Sequence, residues 1–322
     1  TPGVVLSSAA KEYMKVYGVL VGKNPIVFTN NDSAYETAIE FKKNGIDPIV
    51  LDTRENPNSE LVNQALNMKI DVKFSHVVVA AKGYKKVKSA DIALISKNKK
   101  DLSNIQNIKC DCICVSGFWT PTIHLASQSG GKTKFKEEID AFIPTDSKQN
   151  ETTLGSANGI FNLEETLKTS IEKSFEISNK ITNKNQKISV PQVSEQKHSK
   201  HDKFWCVPLP EGKKYKRFLD FQNDVAVSDI QLAIKEGYRS IEHVKRYTTL
   251  GMATDQGRTS NLNGLQLVSE IENKVVPQVG HTTFRPPYSP VSIGAIVGRE
   301  VGKHSKPTRK SPMHYWHEKN NA

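Results

Sequence analysis

With 322 residues and a formal charge of +11, from 45 Lys and Arg against 34 Asp and Glu, the chain is long enough to bury a large core in two or three domains. No apolar run approaches the roughly 20 residues that span a bilayer and no secretory leader is visible, so the expectation is a cytoplasmic protein with no membrane partner. The lysines are scattered among Asn, Ser and Ile, without an aromatic-interleaved basic groove, which argues against nucleic acid and for local basic sites that take phosphates or an acidic partner.

Residues 1–169 alternate short apolar runs with helical segments, the pattern of an α/β domain. Ser8 to Tyr17 is predicted as a helix and Pro25 to Phe28 as a strand. A turn of Thr29, Asn30, Asn31, Asp32 and Ser33 follows, then a helix carrying Ala34, Ala38 and Phe41, and a strand from Pro48 to Leu51 that ends at Asp52. This is the order of the first half of a dinucleotide-binding fold, with Asp52 placed to hold a ribose hydroxyl. The turn TNNDSA has no glycine, so a pyrophosphate would meet Asn side chains instead of bare backbone. It therefore binds weakly, binds something smaller, or is purely structural.

His76 to Ala81 and Ala90 to Ile95 are predicted as a hairpin around GYKKVKSA, and Asp111 to Val115 as a strand returning to the core. Cys110, Cys112 and Cys114 alternate, so in a strand all three face one side, too close in sequence to bridge; with Cys206 they suit a reducing compartment as buried thiols. Farther on, LGSANGI (Leu154 to Ile160) precedes a helix beginning near Asn162. Gly155, Ala157 and Gly159 would let a ligand reach backbone donors there and Asn158 would hydrogen-bond it; the alternative is an ordinary glycine-rich turn.

Residues 170–203 are polar and read as a frayed helix followed by a linker, with His198 and His201 solvated. Residues 204–272 read as a helical module, entered through the apolar FWCVPLP. Ser228 with Gln231 predicts a capping box, and Gly237 a stop. Ser240 caps a second helix carrying Ile241, Val244 and Tyr247 and closed by Gly251, and a third starts near Thr259 with Leu262, Leu265, Val268 and Ile271 as its buried stripe. Between the second and third, Lys245, Arg246, Thr248, Thr249 and Gln256 crowd cationic, hydroxyl and amide donors beside a helix start, which is what a phosphate needs; the alternative is a solvated surface hairpin. Residues 273–306, rich in Pro, Gly and aromatics, read as an extended connecting segment in which His281, Arg285 and Tyr288 contact a ligand or a neighbouring subunit, or simply brace two domains.

The run EHVKRYTTLGMATDQGRTSNLNGL, with VPQVGHTTFRPPYSPVSIGA after it, resembles the alpha subunit of heterotetrameric sarcosine oxidase. The helix hairpin is also similar to a cluster-binding module of the bacterioferritin-associated-ferredoxin type. Asp220, Gln222, Asp255 and Ser260 stand where its four cysteines would fall, and such hard ligands predict no iron–sulfur cluster. Residues 1–169 resemble a two-dinucleotide-binding-domain flavoprotein fold, in which a segment such as Gly117, Thr120 and Pro121 crosses back to the first nucleotide domain. The resemblance implies that Ala157, Asn158 and Gly159 close a dinucleotide site, for NAD or FAD, whose glycine turn lies before Thr1. The chain is then an internal fragment. PTRKSPMHYWHEKNNA, within residues 307–322, resembles the opening of a folate-binding aminomethyltransferase domain and is expected to be loosely ordered.

What the resemblance implies about activity is oxidative demethylation of sarcosine to glycine. A flavin on the beta subunit takes the hydride, FMN at the alpha–beta interface passes electrons to oxygen, giving hydrogen peroxide, and tetrahydrofolate accepts the one-carbon unit, in a complex with gamma and delta subunits. This chain would supply no catalytic residue; Lys245, Arg246, Thr248, Thr249 and Gln256 are expected to clamp the FMN phosphate. Two alternatives remain open: a related amine dehydrogenase acting on N-methylglutamate, dimethylglycine or proline, and a scaffold whose nucleotide sites have decayed.

Overall fold

Alternation between two buried faces organises the first 120 residues. The computed structural model describes residues 1–117, 119–182, 189–193, 200–286, 289, 291–298, 302 and 309–321. Strand β1 (Val4–Leu6) leads into helix α1 (Ser7–Tyr17), β2 (Pro25–Thr29) into α2 (Ser33–Lys43), and β3 (Ile49–Asp52) into α3 (Glu60–Asn67) and β4 (Asp71–Phe74). A meander of β5 (His76–Gly83), β6 (Val87–Ile95) and β7 (Leu102–Lys109) precedes β8 (Cys112–Ser116). The main sheet is parallel throughout, in the order β1-β8-β2-β3-β4, and the meander forms its own antiparallel sheet. Helix α2 carries the chain from β2 to β3 on one side, while β8 and β1 lie on the other, so the strand order reverses beside β2.

Val27, Val50, Cys112 and Cys114 point toward the helices and pack on Ala10, Ala34, Tyr35, Ala38 and Phe41. Ile26, Leu51 and Ile113, one residue out of step, pack on Val87, Ala90 and Ile92 of the meander. Apolar residues on both faces are what a parallel sheet covered on both sides requires. Cys110 corrects the one-face reading of the cysteines. The strand begins only at Cys112, because the Asp111 carboxylate turns aside to accept the backbone N–H groups of Lys23 and Asn24 at 2.9 and 2.8 Å. Cys110 therefore joins the meander face, where burial pushes its thiol up to about 11, while the Cys112 and Cys114 sulfurs lie 3.7 Å apart on the helix face.

Helix α4 (His124–Gln128) and the hairpin of β9 (Thr133–Lys136) and β10 (Ala141–Pro144) then lead through a 3-10 turn, Gly155–Asn158, to α5 (Leu163–Thr182). Asn162 opens α5 by accepting the Glu165 N–H at 3.0 Å, and the helix runs unbroken past residue 169, so a domain boundary there falls inside it.

The helical module starts from a small ribbon, β11 (Phe218–Asp220) with β12 (Val225–Ala226), and continues into α6 (Val227–Lys235), α7 (Ile241–Thr248) and α8 (Asn261–Glu272). Its core of Leu219, Ile230, Val244, Leu250, Leu265 and Val268 is continuous with Ile123 and Phe142 of the α/β unit. Helix α6 begins one residue before Ser228: the Asp229 carboxylate accepts the Ala226 N–H at 2.8 Å and does the capping assigned to Ser228 and Gln231. Thr249, left-handed at φ 64, closes α7 ahead of Gly251. Two short helices, α9 (Val276–Val279) and α10 (Ile293–Val297), interrupt the segment expected to be extended, and α11 (His314–Lys319) lies near the end; Tyr288 and His198 fall outside the described residues. Among the described residues no helix is long and apolar enough to cross a membrane.

Candidate functional site

A crevice of about 660 Å³ opens at the carboxyl ends of the parallel strands, where α/β sheets bind their ligands. Leu6, Thr29 and Ser116 end their strands there, with Gly117, Trp119 and Thr120 beside them; the opposite wall is Trp205, Phe221, Arg258 and Leu262, so the helical module completes the enclosure. Gly117 borders open space, with nothing within 4 Å of where a Cβ would lie. Pro121 and Thr120 line a smaller neighbouring cavity of about 70 Å³ with His124, Asn261 and Thr282.

The predicted small-residue turn stands apart from this crevice. Gly159 is left-handed (φ 74), and a Cβ there would lie 2.6 Å from the Ile139 side chain and 3.0 Å from that of Ile143. Its N–H is already bonded within the 3-10 turn that holds Ala157 and Asn158. Glycine is required here by conformation and packing, which is the ordinary-turn alternative.

The TNNDSA turn is filled by its own side chains. Thr29 Oγ1 donates to the Asn31 carbonyl at 2.9 Å, Asn31 Oδ1 accepts from Ser33 N and Oγ at 2.9 and 2.6 Å, and Asn31 Nδ2 donates to the Gly117 carbonyl. Asp52 sits where the sequence placed it, but it is fully buried. Tyr35 donates its hydroxyl to Asp52 at 2.8 Å and Arg54 pairs with it at 2.8 Å, while the same guanidinium reaches Asp32 at 2.8 Å. Burial, then the Asp52 charge, pushes the Tyr35 hydroxyl well above its usual range. The Asp52 carboxylate is thus committed to the fold, out of reach of a ribose.

The donors between α7 and α8 divide into two groups. The Lys245 ammonium is buried and donates to the Thr283 carbonyl at 2.6 Å, and Gln256 Oε1 accepts the Arg285 N–H at 3.2 Å, so both hold the backbone of residues 283–285 in place. Burial lowers the Lys245 pKa; Glu242 opposes this, and the positive charges of Arg285 and Arg246 add to it. Arg246 and Arg285 thus both lie within electrostatic reach of Lys245, Glu242 meets Arg246 at 3.4 Å, and both arginines are exposed. Thr248 donates back to the Val244 carbonyl at 2.7 Å, while Thr249 is exposed at the helix end. Thr249 (φ 64) and Gln256 (φ 50) are both left-handed non-glycine residues, a conformation costing on the order of 1–3 kcal/mol that concentrates at functional loops. Asn261 fills the space beside Gly257, where a Cβ would lie 2.2 Å from its amide, so the loop closes tightly on α8.

At the positions the resemblance set against cluster cysteines, Asp220 accepts the N–H groups of Gln222 and Gly251 at 2.9 and 2.8 Å, Gln222 accepts from Thr254 at 2.8 Å, and Asp255 accepts from Thr259 Oγ1 at 3.0 Å. The Gly251 and Thr254 bonds tie loop 220–224 to loop 249–260.

His124, which no sequence signal marked, joins the two units: it stacks on Phe284 at 3.9 Å and its Nε2 donates to the Gln256 carbonyl at 2.9 Å. Burial, opposed by that bond, lowers its pKa below the ordinary 6.5. Above pH 6.5 the ring is neutral folded and unfolded; below it the unfolded chain takes up a proton that the folded chain resists, so stability falls as pH drops through that window. The expected result is a thermal midpoint that drops between about pH 7.5 and 5.5, and drops less in His124→Gln.

Residues 214–299 match the family model described as the sarcosine oxidase A3 domain. The chain is 35% identical to the sarcosine oxidase subunit alpha of Rhizobium meliloti (strain 1021), covering 100% of this chain and 31% of that protein. It is 32% identical to the subunit alpha of Corynebacterium sp. (strain U-96), covering 98% of this chain and 33% of that protein. It therefore spans about a third of the length of these relatives. The crystal structure of L-proline dehydrogenase from P. horikoshii superposes with a TM-score of 0.54 at 20% identity, over 93% of this chain and 55% of that one, and so shares its fold. From end to end the chain resembles alpha subunits of sarcosine oxidase, as the run around Arg246 implied.

Proposed function

We propose that this chain is the cofactor-holding part of the alpha subunit of a flavin-dependent amine-oxidising complex. The substrate is sarcosine, demethylated to glycine, with the one-carbon unit passed to tetrahydrofolate on a domain beginning near residue 307 and hydrogen peroxide formed from oxygen. The observation that carries the reading is the cationic cluster of Lys245, Arg246 and Arg285, which lies inside the matched residues 214–299, with Glu242 as the counter-charge of Lys245 and Arg246.

That donor set fits a phosphate. Two exposed guanidinium groups offer forked donors, and Lys245 and Gln256 hold the segment that presents one of them. Thr249 adds a hydroxyl at the end of α7, while Thr248, bonded to its own helix, fixes that end in place. FMN bound here would supply the electron transfer to oxygen; the chain would anchor its phosphate and leave the ring to the beta subunit. The side of the large crevice formed by Gly117, Trp119 and Thr120 is proposed as the closing wall of a site, for NAD or a related dinucleotide, that belongs to the first nucleotide domain. Beta, gamma and delta subunits are its proposed partners. The filled TNNDSA turn favours a second reading for the α/β unit alone, that of a scaffold whose own nucleotide turn has decayed.

The test is mass analysis of nucleotides released from the purified assembly on denaturation. One FMN and one dinucleotide per alpha chain is the expected result. Release of neither would leave the scaffold reading.

A further inference from the structure

The end of the polar linker is docked rather than free: His201 and Asp202 are half-buried, while Lys200 and Lys203 stay exposed. Residues 200–203 pass between the β9–β10 turn and the ends of β2 and β3, and turn at Asp202, whose carbonyl accepts the Phe204 N–H at 2.9 Å. His201 and Lys203 reach Asp140 at the β9–β10 turn, at 3.2 and 2.7 Å. Asp202 faces the other way, onto the carboxyl ends of β2 and β3. Its N–H donates to the Asn30 carbonyl at 2.9 Å and its carbonyl accepts from Asn30 Nδ2 at 2.9 Å, so the segment pairs with the turn that follows β2. Its carboxylate accepts the Thr53 hydroxyl at 2.9 Å and meets the Lys99 ammonium at 2.8 Å. Lys200 adds its carbonyl, at 3.4 Å from an Arg54 nitrogen.

The end of the second strand is where a dinucleotide-binding unit recognises the ribose of its ligand or a phosphate on that ribose. Here a hydroxyl and an ammonium wait at that place, and an anion of the chain itself lies on them. Just beyond, Phe204 packs against Val77, Val79 and Ile95, which anchors the segment in the meander, and Trp205 continues as the crevice wall. The enclosure therefore depends on the same few residues that cover the strand ends.

We propose that residues 200–204 are an internal occupant of this second nucleotide site: the Asp202 carboxylate takes the anion position formed by Thr53 and Lys99, and so shuts the site to nucleotides. This unit holds its own chain where related folds hold a cofactor. The covered site is a weak anion site selective for a ribose phosphate, because Asn30 and Asn31 still block the pyrophosphate turn.

The test is calorimetric titration of the full chain with adenosine 2′,5′-bisphosphate, with inorganic phosphate as the second probe. The unsubstituted protein should show no binding at millimolar ligand. Asp202→Ala should gain affinity roughly tenfold or more, the scale of a charge-assisted contact made available. Asp202→Asn, whose amide still fills the place and can accept the Thr53 hydroxyl, should gain less. Adding Lys99→Ala to Asp202→Ala should abolish the gain. Binding by the unsubstituted protein as tight as by Asp202→Ala would overturn the proposal, and so would an absence of gain in both Asp202 variants. Binding of phosphate and bisphosphate alike, each lost with Lys99, would support the anion position and remove the ribose selectivity.

Discussion

Arg54→Ala is expected to destabilise the α/β unit by about 3–5 kcal/mol, read as a lowered urea midpoint for the transition that melts the parallel sheet. The guanidinium is 8% exposed and lies between the carboxylates of Asp52 and Asp32, which are 0% and 3% exposed. Removing the cation leaves two buried negative charges facing each other, with the Tyr35 hydroxyl still bonded to one of them. Volume is not the issue: Arg54→Met should lose nearly as much. If charge is the cause, Asp32→Asn with Asp52→Asn in the Arg54→Met background should recover much of the loss, a non-additive result that packing alone does not produce. A loss under about 1 kcal/mol would place this group in the class of solvated pairs instead.

Arg246→Ala is expected to weaken FMN binding by the assembled complex by about 1.5–3 kcal/mol, or roughly 10- to 150-fold, the range for a hydrogen bond to a charged group. Arg246 is exposed and meets Glu242 at 3.4 Å, so the substitution removes little from the fold. Arg246→Lys should retain part of the affinity, since it keeps the charge and loses the fork. Lys245→Met acts differently. It breaks the bond to the Thr283 carbonyl, frees the segment that carries Arg285, and should lower both FMN affinity and thermal stability. Unchanged affinity in Arg246→Ala, with FMN still bound stoichiometrically, would remove the arginine from the site.

The strands and helices of the parallel sheet were legible because each rests on a local signal. Val27 and Ile26 alternate, and Ala34, Ala38 and Phe41 fall on one helical face. The stripe of α8 was legible for the same reason. Strand β7 was not, because its burial is nearly all outward and it reads as a polar run; its place comes from pairing with β6. Capping misled where a competitor lay one residue away, as Asp229 displaced Ser228. In the donor cluster the residue types were visible, but the division of labour was not: Lys245 turns inward and Arg246 outward because only the former faces the core shared with Phe284. Asp52 shows the general difficulty. An acidic residue after a second strand has the same sequence appearance whether it meets a ribose or an arginine two residues on. Asp202, Lys99 and Asp140 left no signal, since their contacts cross 172, 103 and 61 residues of chain that no local pattern connects (Asn30 to Asp202, Lys99 to Asp202, Asp140 to His201).

The most direct test of cofactor holding by this chain is the position of the FMN phosphate in a structure of the complete complex. The expected position is within about 3 Å of a guanidinium nitrogen of Arg246 or Arg285, beside Thr249 at the end of α7. A phosphate held wholly by residues of another subunit, with Arg246 turned to solvent, would contradict it.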